Sequence, residues 1–176
     1  MTALRPFQCD DLFRYNNVNL DPLTETYNMG FYLAYLSKWP EYFTVAESPT
    51  GRIMGYIMGK SEARQNDPRD WHGHVTAISV AEEYRRIGLA ATLMNSLESI
   101  SERKHCYFVD LFVRVSNKVA ILMYQNLGYK IFRRIENYYS GADDDEDALD
   151  MRKALSRDKE KISERPCKDP NFPLEA

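Results

Sequence analysis

The stretch that most constrains this chain is His74-Val-Thr-Ala-Ile-Ser-Val80, followed by Ala-Glu-Glu-Tyr and then Arg85-Arg-Ile-Gly-Leu-Ala90. The first run alternates and is rich in β-branched residues, so it predicts a strand that stops at Val80. A charged turn comes next. A helical pattern begins near Gly88, with apolar residues at Leu89, Leu93, Met94, Leu97 and Ile100. Strand, turn and helix N-terminus together suit an anion, because the first amides of a helix lack carbonyl partners and the dipole there is positive. Gly88 lets the backbone approach a ligand without a Cβ in the way. Ala90 keeps the next amide nearly as accessible, and the Arg85–Arg86 pair adds positive charge. The pattern suits a phosphate but is not a Walker loop, since no Gly-Lys-Ser/Thr follows. Taken alone, it equally fits an ordinary strand-to-helix turn with solvated arginines.

The rest of the chain has to decide between them. At 176 residues the sequence is long enough for one domain with a real core, expected over 1–155, followed by a charged, mobile tail over 156–176. A net charge of −3 speaks against broad nucleic-acid binding. Cys9, Cys106 and Cys167 are odd in number and widely spaced, forming neither a disulfide framework nor a metal-ligand pattern. The N-terminus shows no apolar core of signal-peptide length, and no apolar run approaches membrane-spanning length. These features lead us to expect a reducing cytosolic or nuclear compartment, with no membrane partner.

Along the chain, residues 2–8 suit a short strand, and Asp10 or Asp11 can cap a helix carrying Leu12, Phe13, Tyr15 and Val18. That helix is expected to end before Asp21-Pro22. A second helix, roughly Gly30 to Lys38, is apolar on more than one face. It therefore needs two neighbours, the second being either more of the domain or a partner protein. Tyr42–Ala46 and Ile53–Met58 read as strands joined by a turn, and the strand at Cys106–Val113 follows the organising helix. Ser116-Asn117 opens a helix through Ala120, Met123 and Leu127 that Gly128 ends. Strands near Tyr129–Tyr139 and Ala148–Lys153 flank an acidic run at Asp143–Asp147, expected to be a solvated loop. The expected fold class is α+β, a three-layer α/β sandwich with a mixed seven-stranded sheet and flanking helices.

Arg85-x-x-Gly88-x-Ala90 at a strand end resembles the pyrophosphate loop of the GCN5-related (GNAT) acetyltransferases, which bind acetyl-coenzyme A there. A second signature of that superfamily follows: Asn117-x-x-Ala120-x-x-x-Tyr124-x-x-Leu127-Gly128-Tyr129. The order of elements also matches. The resemblance narrows further. Asp10–Tyr27, Trp39-Pro-Glu-Tyr-Phe43, Trp71-His-Gly-His-Val-Thr76, Val113-Arg-Val-Ser-Asn117 and Glu136-Asn-Tyr-Tyr-Ser140 look like the catalytic subunits of the NatB N-terminal acetyltransferases, over about residues 1–158. That family acetylates protein N-termini beginning Met-Asp, Met-Glu, Met-Asn or Met-Gln. The resemblance implies acetyl-CoA as cosubstrate and a heterodimer with a large helical-repeat auxiliary subunit near the ribosome, acting on nascent chains in the cytoplasm.

It also implies roles. Backbone around Ile78, Val80, Arg85, Arg86, Gly88, Leu89, Ala90 and Ala91 would hold acetyl-CoA, together with Asn117 and Tyr124. Tyr124 would face the coenzyme sulfur as general acid; an ordinary phenol near pKa ~10 stays protonated at neutral pH and can donate. Asn117 would bond the cofactor or a bridging water, cap its own helix, or do both. An α-amine with a reference pKa of about 8 has an appreciable neutral fraction, so little basicity is demanded of the enzyme. His74 and Thr76 would meet the peptide's second residue. Glu25, Tyr27, Tyr138 and Tyr139 would frame its entrance, Glu25 attracting the protonated amine and Tyr27 holding the Met side chain. His72 and His74 alternate on one strand, but a metal would need a further ligand that the pattern does not supply, so no metal is expected. Two other readings stay open at this point: an acetyltransferase for lysines or small amines, and a non-catalytic acyl-CoA-binding interaction module.

Overall fold

The computed structural model describes residues 2–20, 22–63, 68–140 and 145–167. Met1, Asp21, residues 64–67, residues 141–144 with the first part of the acidic run, and the chain beyond Cys167 lie outside the described residues. The strands are β1 (Ala3–Pro6), β2 (Phe43–Glu47), β3 (Ile53–Glu62), β4 (His72–Val80), β5 (Phe108–Arg114), β6 (Lys130–Tyr139) and β7 (Glu146–Ala154). The α-helices are α1 (Met29–Lys38), α2 (Leu89–Arg103) and α3 (Lys118–Asn126). The sheet has seven strands in the order β1-β2-β3-β4-β5-β7-β6. The expected α+β class with a mixed seven-stranded sheet is thereby borne out. The chain divides into two compact units, Met1–Lys60 with Val75–Ile100, and Ser61–His74 with Ser101–Ala176. That division cuts through β3, β4 and α2 rather than falling at residue 155.

In the first unit an aromatic core forms under α1. Phe7 stacks on Phe43 at 3.9 Å, and Tyr15 meets Tyr32 and Tyr56 edge-on at 5.7 and 5.5 Å. Such pairs each add roughly 0.5–1.5 kcal/mol beyond the area they bury. Asn28 caps α1, its side chain accepting from the Phe31 amide at 2.9 Å, and Trp39-Pro40 ends the helix. Tyr32 and Tyr35 face the core while Met29 and Leu33 stay exposed.

The expected α-helix over residues 10–20 is replaced by two 3-10 helices, Cys9–Phe13 and Asn16–Val18. The reason lies in the spacing. Leu12, Tyr15 and Val18 are the buried apolar residues, three apart, which matches three residues per turn and not 3.6. Asp11 pins the first of these turns. It is buried, accepts from the Gln8 amide at 2.9 Å, and takes both Nη atoms of Arg5 from β1 at 2.7 and 2.9 Å.

In the second unit β5 and β6 flank β7, both antiparallel to it, with Asp110 opposite Arg152 and Leu111 opposite Met151. Arg152 is buried over the Phe132 ring at 3.4 Å and is held by Asp150 through Nε and Nη2 at 3.1 and 3.0 Å. A charge buried this deeply persists because it is paired and hydrogen-bonded.

The segment after β7 differs from the expected mobile tail as far as Cys167. Ser156 donates its amide and hydroxyl to Glu102 at 2.8 and 2.6 Å. The Asp158 carboxylate accepts the amides of Ile162 and Ser163, and Glu164 accepts the amide of Ala154. The Cys167 amide reaches the Phe132 carbonyl at 2.8 Å. Charged composition suggested mobility, whereas these carboxylates bind nearby amides instead of water.

Candidate active site

The first unit contains the turn that the sequence reading assigns to a phosphate. After β4, a 3-10 turn at Glu82–Tyr84 leads into Arg85, whose Nε donates back to the Val80 carbonyl at 3.0 Å. Arg86 and Gly88 both take positive φ, 64° and 83°. This geometry turns the backbone so that α2 begins at Leu89. The Gly88 carbonyl accepts the Thr92 amide and hydroxyl at 3.0 and 3.1 Å, so the amides of Leu89, Ala90 and Ala91 precede the first intrahelical donor. A Cβ built on Gly88 would meet nothing within 4 Å. Exposed arginines, unpaired helical amides and open space above a left-handed glycine fit an anion such as the coenzyme's pyrophosphate. Ile78 and Val80 lie at the C-terminal end of β4, just after which the Ala81 amide donates to the Met54 carbonyl at 2.9 Å.

The same unit holds three expected peptide residues. The Tyr27 hydroxyl donates to the Thr76 carbonyl at 3.5 Å, and the Thr76 hydroxyl donates to the phenol of Tyr35 at 3.0 Å. Tyr27 stacks on Phe31 at 4.2 Å, and its amide donates to the Tyr32 hydroxyl at 3.2 Å. Glu25 is half-buried two residues before it. Tyr35, buried on α1, was read in the sequence only as helix and is drawn in here by its bond to Thr76.

In the second unit Asn117 caps α3, its side chain accepting from the Ala120 amide at 3.1 Å. Of the roles left open for it, the cap is present. Tyr124 lies one further turn along α3, buried and edge-on to Tyr129 at 6.0 Å. Burial pushes its phenol well above the usual range, so it stays protonated at neutral pH and suits a proton donor rather than a base.

His74, Tyr138 and Tyr139 are brought together through Phe112, a residue that no sequence pattern singled out. His74 meets Phe112 edge-on at 5.4 Å, Phe112 meets Tyr138 at 5.0 Å, and Tyr138 meets Tyr139 at 4.9 Å. Arg114 lies over the Tyr139 ring at 4.1 Å and bonds Glu146 at 3.1 Å, while Glu146 also takes the Ser116 amide beside Asn117.

Behind His74 sits Asp110, fully buried on β5, which accepts His74 Nδ1–H at 2.9 Å. Gly73 permits the close packing here, since a Cβ on it would fall 2.2 Å from the Ser101 hydroxyl. Asp110 was passed over in sequence. The only signal for it is an acidic residue in the middle of an apolar strand. Among the described residues, no cluster of three or more His, Cys, Asp or Glu side chains could hold a metal ion. No helix among them is long and apolar enough to cross a membrane.

Comparison with known proteins adds an independent line. Residues 9–129 match the Acetyltransferase (GNAT) family. The chain is 59% identical to the N-terminal acetyltransferase B complex catalytic subunit NAA20 of Arabidopsis thaliana, over 99% of this chain and 98% of that protein. The crystal structure of Chaetomium thermophilum Naa20 in complex with a bisubstrate analogue superposes with a TM-score of 0.86 at 42% identity, covering 95% of this chain and 93% of that one. A chain of the NatB acetyltransferase complex bound to CoA and MES does so with a TM-score of 0.78 at 47% identity, covering 87% and 99%.

Proposed function

Since the chain belongs to the GNAT acetyltransferase family, and within it to the catalytic subunits of N-terminal acetyltransferase B, we propose that it acetylates protein N-termini beginning Met-Asp, Met-Glu, Met-Asn or Met-Gln. It is an acetyl-CoA-dependent N-terminal acetyltransferase and works with an auxiliary subunit. The observation that carries the substrate reading is the pairing of polar and aromatic residues expected to face the peptide. His74 is braced by Asp110 and Phe112 next to Tyr138 and Tyr139, and Thr76 is tied to Tyr27 and Tyr35.

In this reading the amides of Leu89, Ala90 and Ala91, with Arg85, Arg86 and Gly88, hold the pyrophosphate. The peptide's neutral α-amine attacks the thioester carbonyl. Amides at Ile78 and Val80 stabilise the oxyanion. As the C–S bond breaks, Tyr124 gives its proton to the leaving thiolate; the proton that the attacking amine loses passes to solvent water, from which Tyr124 is reprotonated, and Asn117 orders the cofactor or a water from the start of α3. Glu25 draws in the amine, and Tyr27, Tyr138 and Tyr139 surround the Met side chain. His74 and Thr76 hydrogen-bond the oxygen of an acidic or amide second residue.

Exposed apolar side chains support the partner's docking place. Phe13 is 77% and Leu20 79% exposed, with Leu23, Met29 and Leu33 also exposed in the same unit. We assign this surface to the auxiliary subunit, a large helical-repeat protein through which the enzyme reaches the ribosome and nascent chains in the cytoplasm.

The test is kcat/KM on short peptides. A Met-Leu second residue leaves the polar pair unmatched, a cost of about 1–3 kcal/mol, so Met-Asp and Met-Glu are expected to exceed Met-Leu by at least ~10-fold. Equal values would overturn the substrate assignment.

A further inference from the structure

We propose that Ser79 and Tyr32 are positioning residues for the peptide's first residue: their buried hydroxyls hold the two ends of the stretch Thr24–Tyr27 and so keep the Tyr27 ring where it walls the Met side chain. The inference rests on the N-terminal acetyltransferase reading above.

The near end is held from β4. Ser79 lies between Ile78 and Val80 and is 5% exposed. A buried hydroxyl costs stability unless it is hydrogen-bonded. Ser79 donates its one proton to the Val18 carbonyl at 2.7 Å, and its oxygen accepts from the Thr24 hydroxyl at 3.4 Å. One side chain of β4 thus reaches both the last residue of the second 3-10 turn and the first residue of Thr24–Tyr27. Asn19, which follows that turn, is fixed as well, its side-chain oxygen accepting from the buried Tyr56 phenol at 3.0 Å.

The far end is held from α1. Tyr32 is buried, and its phenol oxygen accepts the Tyr27 amide at 3.2 Å. Its ring meets those of Tyr15 and Tyr27 edge-on at 5.7 and 5.9 Å, which fixes where that oxygen stands. Residues 24–27 belong to no helix or strand. Backbone of that kind takes its shape from the groups that bind it.

β4 has support of its own. A Cβ on Gly55 of β3 would fall 2.8 Å from the Ser79 carbonyl and 3.3 Å from the Val80 Cα, so β3 backs this strand at close range. The Ala81 amide ties its end to Met54. Removing the Ser79 hydroxyl therefore releases the loop and leaves the strand in place. The two substrate choices separate on that division, since Tyr27 is assigned to the first residue from the loop and Thr76 to the second from β4.

The test uses the enzyme purified with its auxiliary subunit, as wild type, Ser79→Ala and Tyr32→Phe, on Met-Asp, Ala-Asp and Met-Leu peptides. Each substitution removes one oxygen and keeps the remaining shape. In both variants the Met-Asp to Ala-Asp ratio of kcat/KM is expected to fall about fivefold, the worth of one ordinary hydrogen bond, through the KM for Met-Asp. The Met-Asp to Met-Leu ratio and the KM for acetyl-CoA are expected to stay where they are. A general loosening of the fold lowers all three peptides together and moves neither ratio. An unchanged Met-Asp to Ala-Asp ratio in either folded variant, or an equal fall in the Met-Asp to Met-Leu ratio, overturns the proposal. Should Ser79→Ala not fold, Thr24→Val removes the donor on the loop side, and the same two ratios decide. A wild type without preference for Met-Asp over Met-Leu overturns the substrate reading and this proposal with it. A wild type with that preference, and variants with the first-residue ratio unmoved, overturn only the roles of Ser79 and Tyr32.

Discussion

Tyr35 and Thr76 lie 41 residues apart in sequence, and the Thr76 hydroxyl donates to the Tyr35 phenol at 3.0 Å. The bond couples α1 to β4 and holds the Thr76 hydroxyl in one orientation. Tyr35→Phe removes the acceptor and little volume. A typical net hydrogen bond of about 1 kcal/mol corresponds to a rise of roughly fivefold in peptide KM, with the KM for acetyl-CoA unmoved. Steady-state kinetics on a Met-Asp peptide check it, and an unchanged peptide KM would confine the bond to a structural role.

Gly88 has φ of +83° and open space where a Cβ would stand. Gly88→Val fills the place assigned to pyrophosphate and is expected to weaken acetyl-CoA binding by at least ~2 kcal/mol through exclusion and lost charge-assisted hydrogen bonds. The left-handed backbone adds a stability cost of about 1–2 kcal/mol. Calorimetry on the folded variant decides, since unchanged affinity would remove the loop from the cofactor site.

Tyr124 is buried with its phenol held protonated. If it protonates the leaving thiolate, Tyr124→Phe lowers kcat by about 10²–10⁴ and leaves acetyl-CoA affinity nearly unchanged. A near-normal kcat would reduce Tyr124 to a packing residue against Tyr129.

Phe13 and Leu20 project from the 3-10 region with most of their surface open. The pair Phe13→Asp and Leu20→Asp is expected to abolish co-purification with the auxiliary subunit. The stability of the chain itself should shift by no more than ~0.5 kcal/mol, as for other exposed sites. Retention of the complex at normal yield would place the partner elsewhere.

Asp158 anchors the segment after β7. Burial raises its carboxyl, but the Ser163 hydroxyl, the amides of Ser163 and Ile162, and the Arg165 charge outweigh burial and hold it below the usual range. A lowered folded value means that the stabilisation is present above the ordinary carboxylate pKa of about 3.9 and is lost as pH falls through the folded value. Asp158→Asn should therefore unfold at lower denaturant than wild type near neutral pH, by about 1–2 kcal/mol for a lost cap. The gap should narrow in acid. Urea melts at several pH values measure it, and a gap independent of pH would assign the effect to packing.

Local order was legible wherever one stretch of chain supplies its own reasons. Alternation marks β4, Pro40 ends α1, Gly88 opens α2, and Asn117 and Gly128 bound α3. The two signatures around Gly88 and Tyr124 could be read because their chemistry depends on backbone amides and on residues close together along the chain. What only the tertiary structure decided depends on partners distant in sequence. Residues 9–18 wind as 3-10 turns because Arg5 seizes Asp11 and because Leu12, Tyr15 and Val18 must reach one core at a spacing of three. Within residues 156–167, Ser156 is held by Glu102, 54 positions away. Asp110 is an unremarked acid in an apolar strand until β5 sets it 2.9 Å from His74. Periodicity and capping are properties of neighbours along the chain, whereas a buried polar pair exists only when the fold brings its two halves out of water together.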